Sequence, residues 1–170
     1  MKNLRFFLFL TIILAGFLVP VKSVQAQDST TFILVRHAEK ADDGTNDPPL
    51  NDIGKERAAA LANHLKETDI TAIYSTDYKR TMQTVQQIAN ARGFRINSYD
   101  PSDASTLENM LEAEIGGKVL ISGHSNTTPM LLNVLIGEER YQQFDDSDYD
   151  NLFIVMTDKI GEGRVVKLMF

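Results

Sequence analysis

The strongest constraint on the fold is a repeated switch in hydrophobic period along the chain. Thr31–Val35, Ala72–Ser75 and Lys118–Ser122 are short apolar runs rich in branched residues. Runs of this kind, without polar alternation, read as strands buried on both faces. Helical spacing takes over between them. Asn51 or Asp52 is placed to cap a helix reaching about Thr68, with Ile53, Ala58, Leu61, Ala62 and Leu65 on one face. Asp77 is placed to cap a second, with Met82, Val85, Ile88 and Ala89 as its stripe and Gly93 as its stop. Phe94–Asn97 predicts a further strand. After the turn Pro101–Asp103, a third helix is expected to about Ile115, ended by Gly116 and Gly117. A fourth is expected over residues 126–136, opened by Asn126 or Thr127. Asn151–Thr157 and Gly163–Phe170 read as strands joined by a turn over Asp158–Glu162. Strands alternating with helices build right-handed crossovers and a covered, mostly parallel sheet. The expectation is an α/β fold, a three-layer αβα sandwich of about six strands, mostly parallel, edged by a C-terminal antiparallel hairpin.

The chain's first 26 residues do not belong to that pattern. Lys2 and Arg5 precede an almost unbroken apolar run, Phe6–Val19, which Pro20 breaks; Val24-Gln25-Ala26 then offers small residues where a signal peptidase reads. This is the pattern of a secretory signal peptide cleaved after Ala26. A bilayer-spanning helix needs about 20 apolar residues, so no stable membrane anchor is expected after cleavage. Residues 27–170 form the single expected domain, and the expected location is periplasmic or secreted. Without Lys2, Arg5 and Lys22, the 17 basic residues fall to 14 against 23 acidic ones, a net charge of −9. That balance argues against nucleic acid as a partner. The chain has no cysteine, which excludes a disulfide framework, a thiolate zinc site, a cysteine nucleophile and a lipoprotein anchor.

Ligands of an open parallel sheet bind beyond the carboxyl ends of its strands. Arg36 and His37 follow the first strand, Arg80 stands one helical turn after the second, and Gly123 and His124 follow the fourth. Two guanidiniums can grip phosphoryl oxygens bidentately at any relevant pH. A neutral imidazole is a good nucleophile near pH 7, and attack on phosphorus divides one hard displacement into two. The second imidazole, if protonated, would add positive charge to the transition state. Helix-start amides after residues 77 and 125 offer further anion binding.

These segments carry a resemblance. Val35-Arg36-His37-Ala38-Glu39-Lys40 resembles the Arg-His-Gly/Ala-Glu signature of the histidine phosphatase superfamily. Leu50-Asn-Asp-Ile-Gly54 with Ala58 and Leu61, Ser75 through Arg80 to Gln83-Thr84, and Ser122-Gly123-His124-Ser125-Asn126 are similar to its other three segments, in family order. The resemblance implies a phosphoglycerate mutase-like fold and metal-independent hydrolysis of a phosphomonoester or phosphoramidate, without a cofactor. His37 would be the nucleophile, and Arg36, Arg80 and His124 the phosphate pocket, with Ser125 and Asn126 beside the substrate. The partner implied is a small phosphorylated molecule.

Where the family carries a proton donor, this chain departs from it. Ser125 stands where one branch has Asp. The stretch between Arg80 and His124 lacks the Glu pattern of the other branch, leaving Asp100 and Asp103 as candidates by topology, with Glu39, Glu108 and Glu112 behind them. Asp43 stands where the mutase branch often has Asn, and is expected to point away from a phosphate or to meet a cation. His64 is expected to face solvent. Asp146, Asp148 and Asp150 alternate like the start of a calcium loop, but Asn151 and Thr157 occupy the positions of its Gly and Glu, so a solvated acidic loop is expected. Two other readings stay open: a non-catalytic phosphate-binding module on this fold, and a metal-dependent hydrolase using the two imidazoles.

Overall fold

The computed structural model describes residues 29–170; the expected signal segment, 1–26, lies outside the described residues. Six strands and four helices follow in the order β1 (Thr30–Arg36), α1 (Asp52–His64), β2 (Ala72–Ser75), α2 (Lys79–Arg92), β3 (Ile96–Ser98), α3 (Thr106–Ala113), β4 (Lys118–Gly123), α4 (Thr127–Ile136), β5 (Asn151–Thr157) and β6 (Arg164–Met169). They form one sheet in the order β3-β2-β4-β1-β5-β6. β3, β2, β4 and β1 run parallel, whereas β5 and β6 are antiparallel additions at one side.

Alternation along β1 divides the core in two. Phe32 and Leu34 pack with Leu107 and Met110 of α3, Leu131, Leu132 and Leu135 of α4, and Phe153 and Val155 of β5. Ile33 and Val35 point the other way, onto Leu61 of α1 and Val85, Ile88 and Ala89 of α2. Helices therefore cover both faces, giving the three layers that the apolar runs predict. Among the described residues, no helix is long and apolar enough to cross a membrane.

Several element boundaries differ from the sequence expectation. Phe94 is not a strand residue: Gly93 adopts φ 68°, and the Phe94 amide returns to the Ala89 carbonyl at 3.0 Å. That closing turn delays β3 to Ile96. α1 ends at His64 rather than near Thr68, and Ile53 is 60% exposed rather than part of the apolar face. Asp77 does not cap α2; the preceding residue is Tyr78, without a side-chain cap, and the Lys79 amide takes Asp47 Oδ1 at 2.8 Å from the loop before α1. Asn51 does cap α1, accepting from the Gly54 amide at 2.8 Å. A Cβ at Gly54 would lie 2.1 Å from the Glu39 carbonyl oxygen, so only glycine lets α1 start against the segment that follows β1.

Candidate active site

Arg36, His37, Arg80, His124, Ser125 and Asn126 line one cleft of about 750 Å³, together with Lys40, Thr76, Tyr78 and Tyr99. The cleft lies at the carboxyl ends of β1, β2 and β4. The register sets this convergence: Arg36 pairs with Gly123, and the His37 amide donates to the Gly123 carbonyl at 2.8 Å. A Cβ at Gly123 would meet Thr128 Oγ1 at 2.9 Å, Thr127 Oγ1 at 3.0 Å and the Tyr99 hydroxyl at 3.1 Å. Glycine thus allows β4 to turn tightly into α4 and deliver His124.

His37 is 4% exposed and its Nδ1 lies 2.7 Å from the Ala38 carbonyl. A carbonyl can only accept, so Nδ1 carries the proton and Nε2 keeps its lone pair. Burial lowers the His37 pKa to about 3, helped by the positive charge of Arg36, while the Ala38 hydrogen bond works in the opposite direction. The ring is therefore neutral at every physiological pH. The segment is braced from α2: the Ala38 amide donates to Thr84 Oγ1 at 2.9 Å, and that hydroxyl donates to the Arg80 carbonyl at 2.7 Å.

His124 faces His37 edge-on, with ring centroids 5.4 Å apart. Arg80 Nη2 lies 3.4 Å from its Nδ1, and Thr76 Oγ1 lies 3.0 Å from its Nε2. Arginine only donates, which makes Nδ1 the acceptor and leaves the proton on Nε2. The Thr76 hydroxyl then donates to Thr81 Oγ1, and Thr81 to the Thr76 carbonyl. Burial, then Arg80 and Arg36, lower the His124 pKa to about 4. In the free site the second imidazole is thus neutral, and its positive form requires an anion to stabilise it.

The two arginines are held by different means. Arg80 packs over the Tyr78 ring at 4.5 Å and lies 3.9 Å from Asp47. Arg36 is 5% exposed, and its Nη1 donates to the backbone carbonyls of Asp145 at 2.6 Å and Asp148 at 3.1 Å. Its guanidinium stacks on Tyr149 at 4.2 Å. The acidic loop is therefore more than a solvated face. Its exposed Asp145 and Asp146 meet solvent, but its backbone folds onto the site. Nothing in the motif spacing announces this contact, because Arg36 and these acceptors lie 109 and 112 positions apart.

The acid candidates separate. Asp100 reaches the cleft rim, but its Oδ1 accepts from the amide and hydroxyl of Ser102, which hold its carboxyl below the usual range. Asp103 lies outside the cleft, and its Oδ1 accepts from the amide and hydroxyl of Ser105. Glu39 is clamped by Arg57 through three contacts of 2.7–3.0 Å. Burial pushes its carboxyl up, but those bonds and the Arg57 charge outweigh it and leave the pKa lowered. Glu108 and Glu112 are exposed on α3, away from the cleft. Asp43 turns outward onto Thr45, and His64 is exposed. Among the described residues no three His, Asp or Glu side chains converge as a cation site.

Comparisons with known proteins bear on the family and the fold. The family described as the Histidine phosphatase superfamily (branch 1) matches residues 32–101. Phosphoserine phosphatase 1 of Hydrogenobacter thermophilus is 38% identical over 74 residues, covering 40% of this chain and 35% of that protein. The probable phosphoglycerate mutase GpmB of Shigella dysenteriae is 42% identical over 66 residues, 35% of this chain and 31% of that one. The matched segment thus spans about a third of these curated relatives. Solved structures match far more of the chain. The putative phosphohistidine phosphatase SixA from Agrobacterium tumefaciens superposes with a TM-score of 0.62 at 25% identity, over 82% of this chain and 98% of that one. The protein histidine phosphatase SixA complexed with tungstate gives 0.66 at 18% identity, over 82% of this chain and 96% of that one.

Proposed function

We propose that the chain, whose residues 32–101 match the histidine phosphatase superfamily (branch 1), is an exported phosphohydrolase acting through a phosphohistidine on His37. The observation that carries the reading is the Nδ1–H bond of His37 to Ala38, which leaves Nε2 free in a cleft lined by Arg36, Arg80 and His124. In the first step the Nε2 lone pair attacks phosphorus, and the P–O or P–N bond breaks with its electron pair leaving on the departing group. The Ala38 carbonyl, still accepting from Nδ1, stabilises the positive ring that results. Water then attacks phosphorus, the P–Nε2 bond breaks with its electron pair returning to Nε2, inorganic phosphate leaves, and the proton that water gives up balances the one the departing group takes from solvent. The dianionic phosphoryl group supplies the charge that raises the His124 pKa, so His124 donates from Nδ1 once the anion is bound. No cofactor enters either step.

The natural substrate is one whose leaving group needs little protonation. General acid catalysis is worth about 10²–10⁴ in rate, and Asp100, the candidate at the rim, is held ionised by Ser102. This favours phosphoramidates over alkyl phosphomonoesters. Export rests on the first 26 residues: a basic start, an apolar run and small residues at the processing site.

Incubation with a labelled nitrophenyl or phosphoramidate substrate, followed by alkaline quench, is expected to trap one acid-labile phosphohistidine at His37. Turnover is expected to survive a chelator, and kcat/KM is expected to fall steeply from nitrophenyl to alkyl phosphates. Oxyanion binding without turnover or label would convert the reading to a phosphate-binding module. Activity lost to a chelator and restored by zinc would make it a metal-dependent hydrolase. A shallow leaving-group dependence abolished by Asp100→Asn would restore that residue as the acid.

A further inference from the structure

Arg36 carries a buried Nε with no hydrogen-bond partner. The segment that folds over it meets its two other nitrogens unequally. Nη1 is saturated by the carbonyls of Asp145 and Asp148, and Nη2 lies 3.7 Å from the exposed Asp146 carboxylate. The segment is itself anchored. The Asp148 amide donates to the Asp145 carbonyl at 3.0 Å, closing the turn that presents both acceptors. The Phe144 amide donates to the Ser125 carbonyl at 2.9 Å, next to His124, and the Phe144 ring stacks on Phe153 at 5.6 Å. Tyr149 completes the enclosure, 4.2 Å from the Arg36 guanidinium and 6.1 Å from the His37 ring.

We propose that Asp145–Tyr149 is a clamp that orients Arg36, with Tyr149 as its positioning residue, so that the Nε edge of the guanidinium faces the phosphoryl group. The inference rests on the phosphatase reading of the cleft. A guanidinium offers five N–H donors in a fixed plane. Here the carbonyls occupy the Nη1 corner, which leaves Nε and one side of Nη2 as the pair able to bind two oxygens of one phosphoryl group side-on. The stacked ring of Tyr149 sets the plane of that pair, and the carbonyls set its rotation within the plane. A buried, unpartnered donor next to the nucleophile is what such an edge looks like before an anion arrives. Tyr149 touches the arginine rather than the phosphate, and acts through it.

The test is vanadate or tungstate binding to the purified chain by calorimetry, together with kcat and KM on nitrophenyl phosphate. Binding needs no turnover, so it reads the clamp independently of the chemistry. Tyr149→Ala is expected to weaken oxyanion binding about tenfold, the range of a desolvated cation–π contact, and to raise KM similarly. Tyr149→Phe, which keeps the ring, is expected to restore both. If the alanine variant does not fold, Tyr149→Leu keeps the bulk without the π face and carries the same expectation. In an Arg36→Ala background, Tyr149→Ala is expected to have no further effect on binding, because the clamp has nothing left to orient. A full additional loss in that background, or failure of phenylalanine to rescue, would overturn the assignment. Unchanged binding in Tyr149→Ala while the wild type binds would overturn the clamp alone; a wild type that binds no oxyanion would overturn the phosphatase reading and the clamp with it.

Discussion

The two Arg–His pairs of the cleft are built in different ways. Arg36 and His37 are neighbours at the end of the central strand, 5% and 4% exposed, and their fixed bonds run to main-chain carbonyls. Arg80 and His124 come from α2 and the β4–α4 turn, 44 positions apart, and are held by side chains: Thr76, Tyr78 and Asp47. The first pair is locked before any ligand arrives. The second can respond to one, because the Arg80–His124 contact is long and the imidazole tautomer rests on a chain of hydroxyls. On the proposed reading, a rigid nucleophile and an adjustable counter-charge are separate tasks, carried by separate elements.

The largest test of this division is His37→Ala. It is expected to lower kcat by about 10³ or more, whereas His124→Ala is expected to lose about 10²–10³. Equal losses on nitrophenyl phosphate would erase the difference between nucleophile and stabiliser. Next come the arginines. Arg36→Ala and Arg80→Ala are each expected to cost about 2–4 kcal/mol of transition-state stabilisation in kcat/KM. Only Arg36→Ala is expected to reduce folding stability as well, by about 1–3 kcal/mol, because it leaves the Asp148 carbonyl without its donor and the Asp145 carbonyl with the Asp148 amide alone. Thermal unfolding of both variants separates them, and similar Tm shifts would break the comparison.

A pH series sharpens it further. His37 and His124 are lowered from 6.5 to about 3 and about 4. Between pH 6.5 and 4 the unfolded chain binds a proton on each imidazole that the folded chain refuses, so stability falls as pH falls. The slope is on the order of 1 kcal/mol per pH unit for His37 and smaller for the more exposed His124. Denaturant midpoints at pH 7, 5.5 and 4.5 should show it, His37→Gln and His124→Gln should each flatten it, and bound vanadate should oppose it. The smallest effect is expected from Asp47→Asn. Asp47 lies 3.9 Å from Arg80 at 40% exposure, and the amide oxygen can keep the bond from the Lys79 amide. Oxyanion inhibition should tighten by about 0.5 kcal/mol or less; a weakening would mean that Asp47 positions Arg80 instead of competing for it.

Much of the frame was legible because burial writes itself into sequence. Ala72–Ser75 and Asn151–Thr157 form strands over the residues their composition predicts, and Asn51 caps α1 as its type requires. Boundaries failed where a backbone turn overrode side-chain character, as at Phe94, whose aromatic ring suggests a strand but whose amide closes the turn after Gly93. The acid candidates have surroundings that topology does not reveal. Topology placed Asp100 and Asp103 at the end of a strand, and Oδ1 of each accepts from a serine two residues on. Local hydrogen bonds of that kind leave no mark in hydrophobic periodicity.

The sequence by itself determined the alternation of strands and helices, and the chemistry-bearing residues at three strand ends. The physical reason is that period and residue type are local properties. Tertiary structure decided which nitrogen of each imidazole carries the proton and how far burial depresses both rings. It also decided that a loop of ordinary acidic composition closes over Arg36 with its main chain rather than its charges. Those outcomes depend on backbone carbonyls, which every residue has and no side chain announces. Only the folded path of the chain brings the carbonyls of Asp145 and Asp148 to a guanidinium more than a hundred positions away.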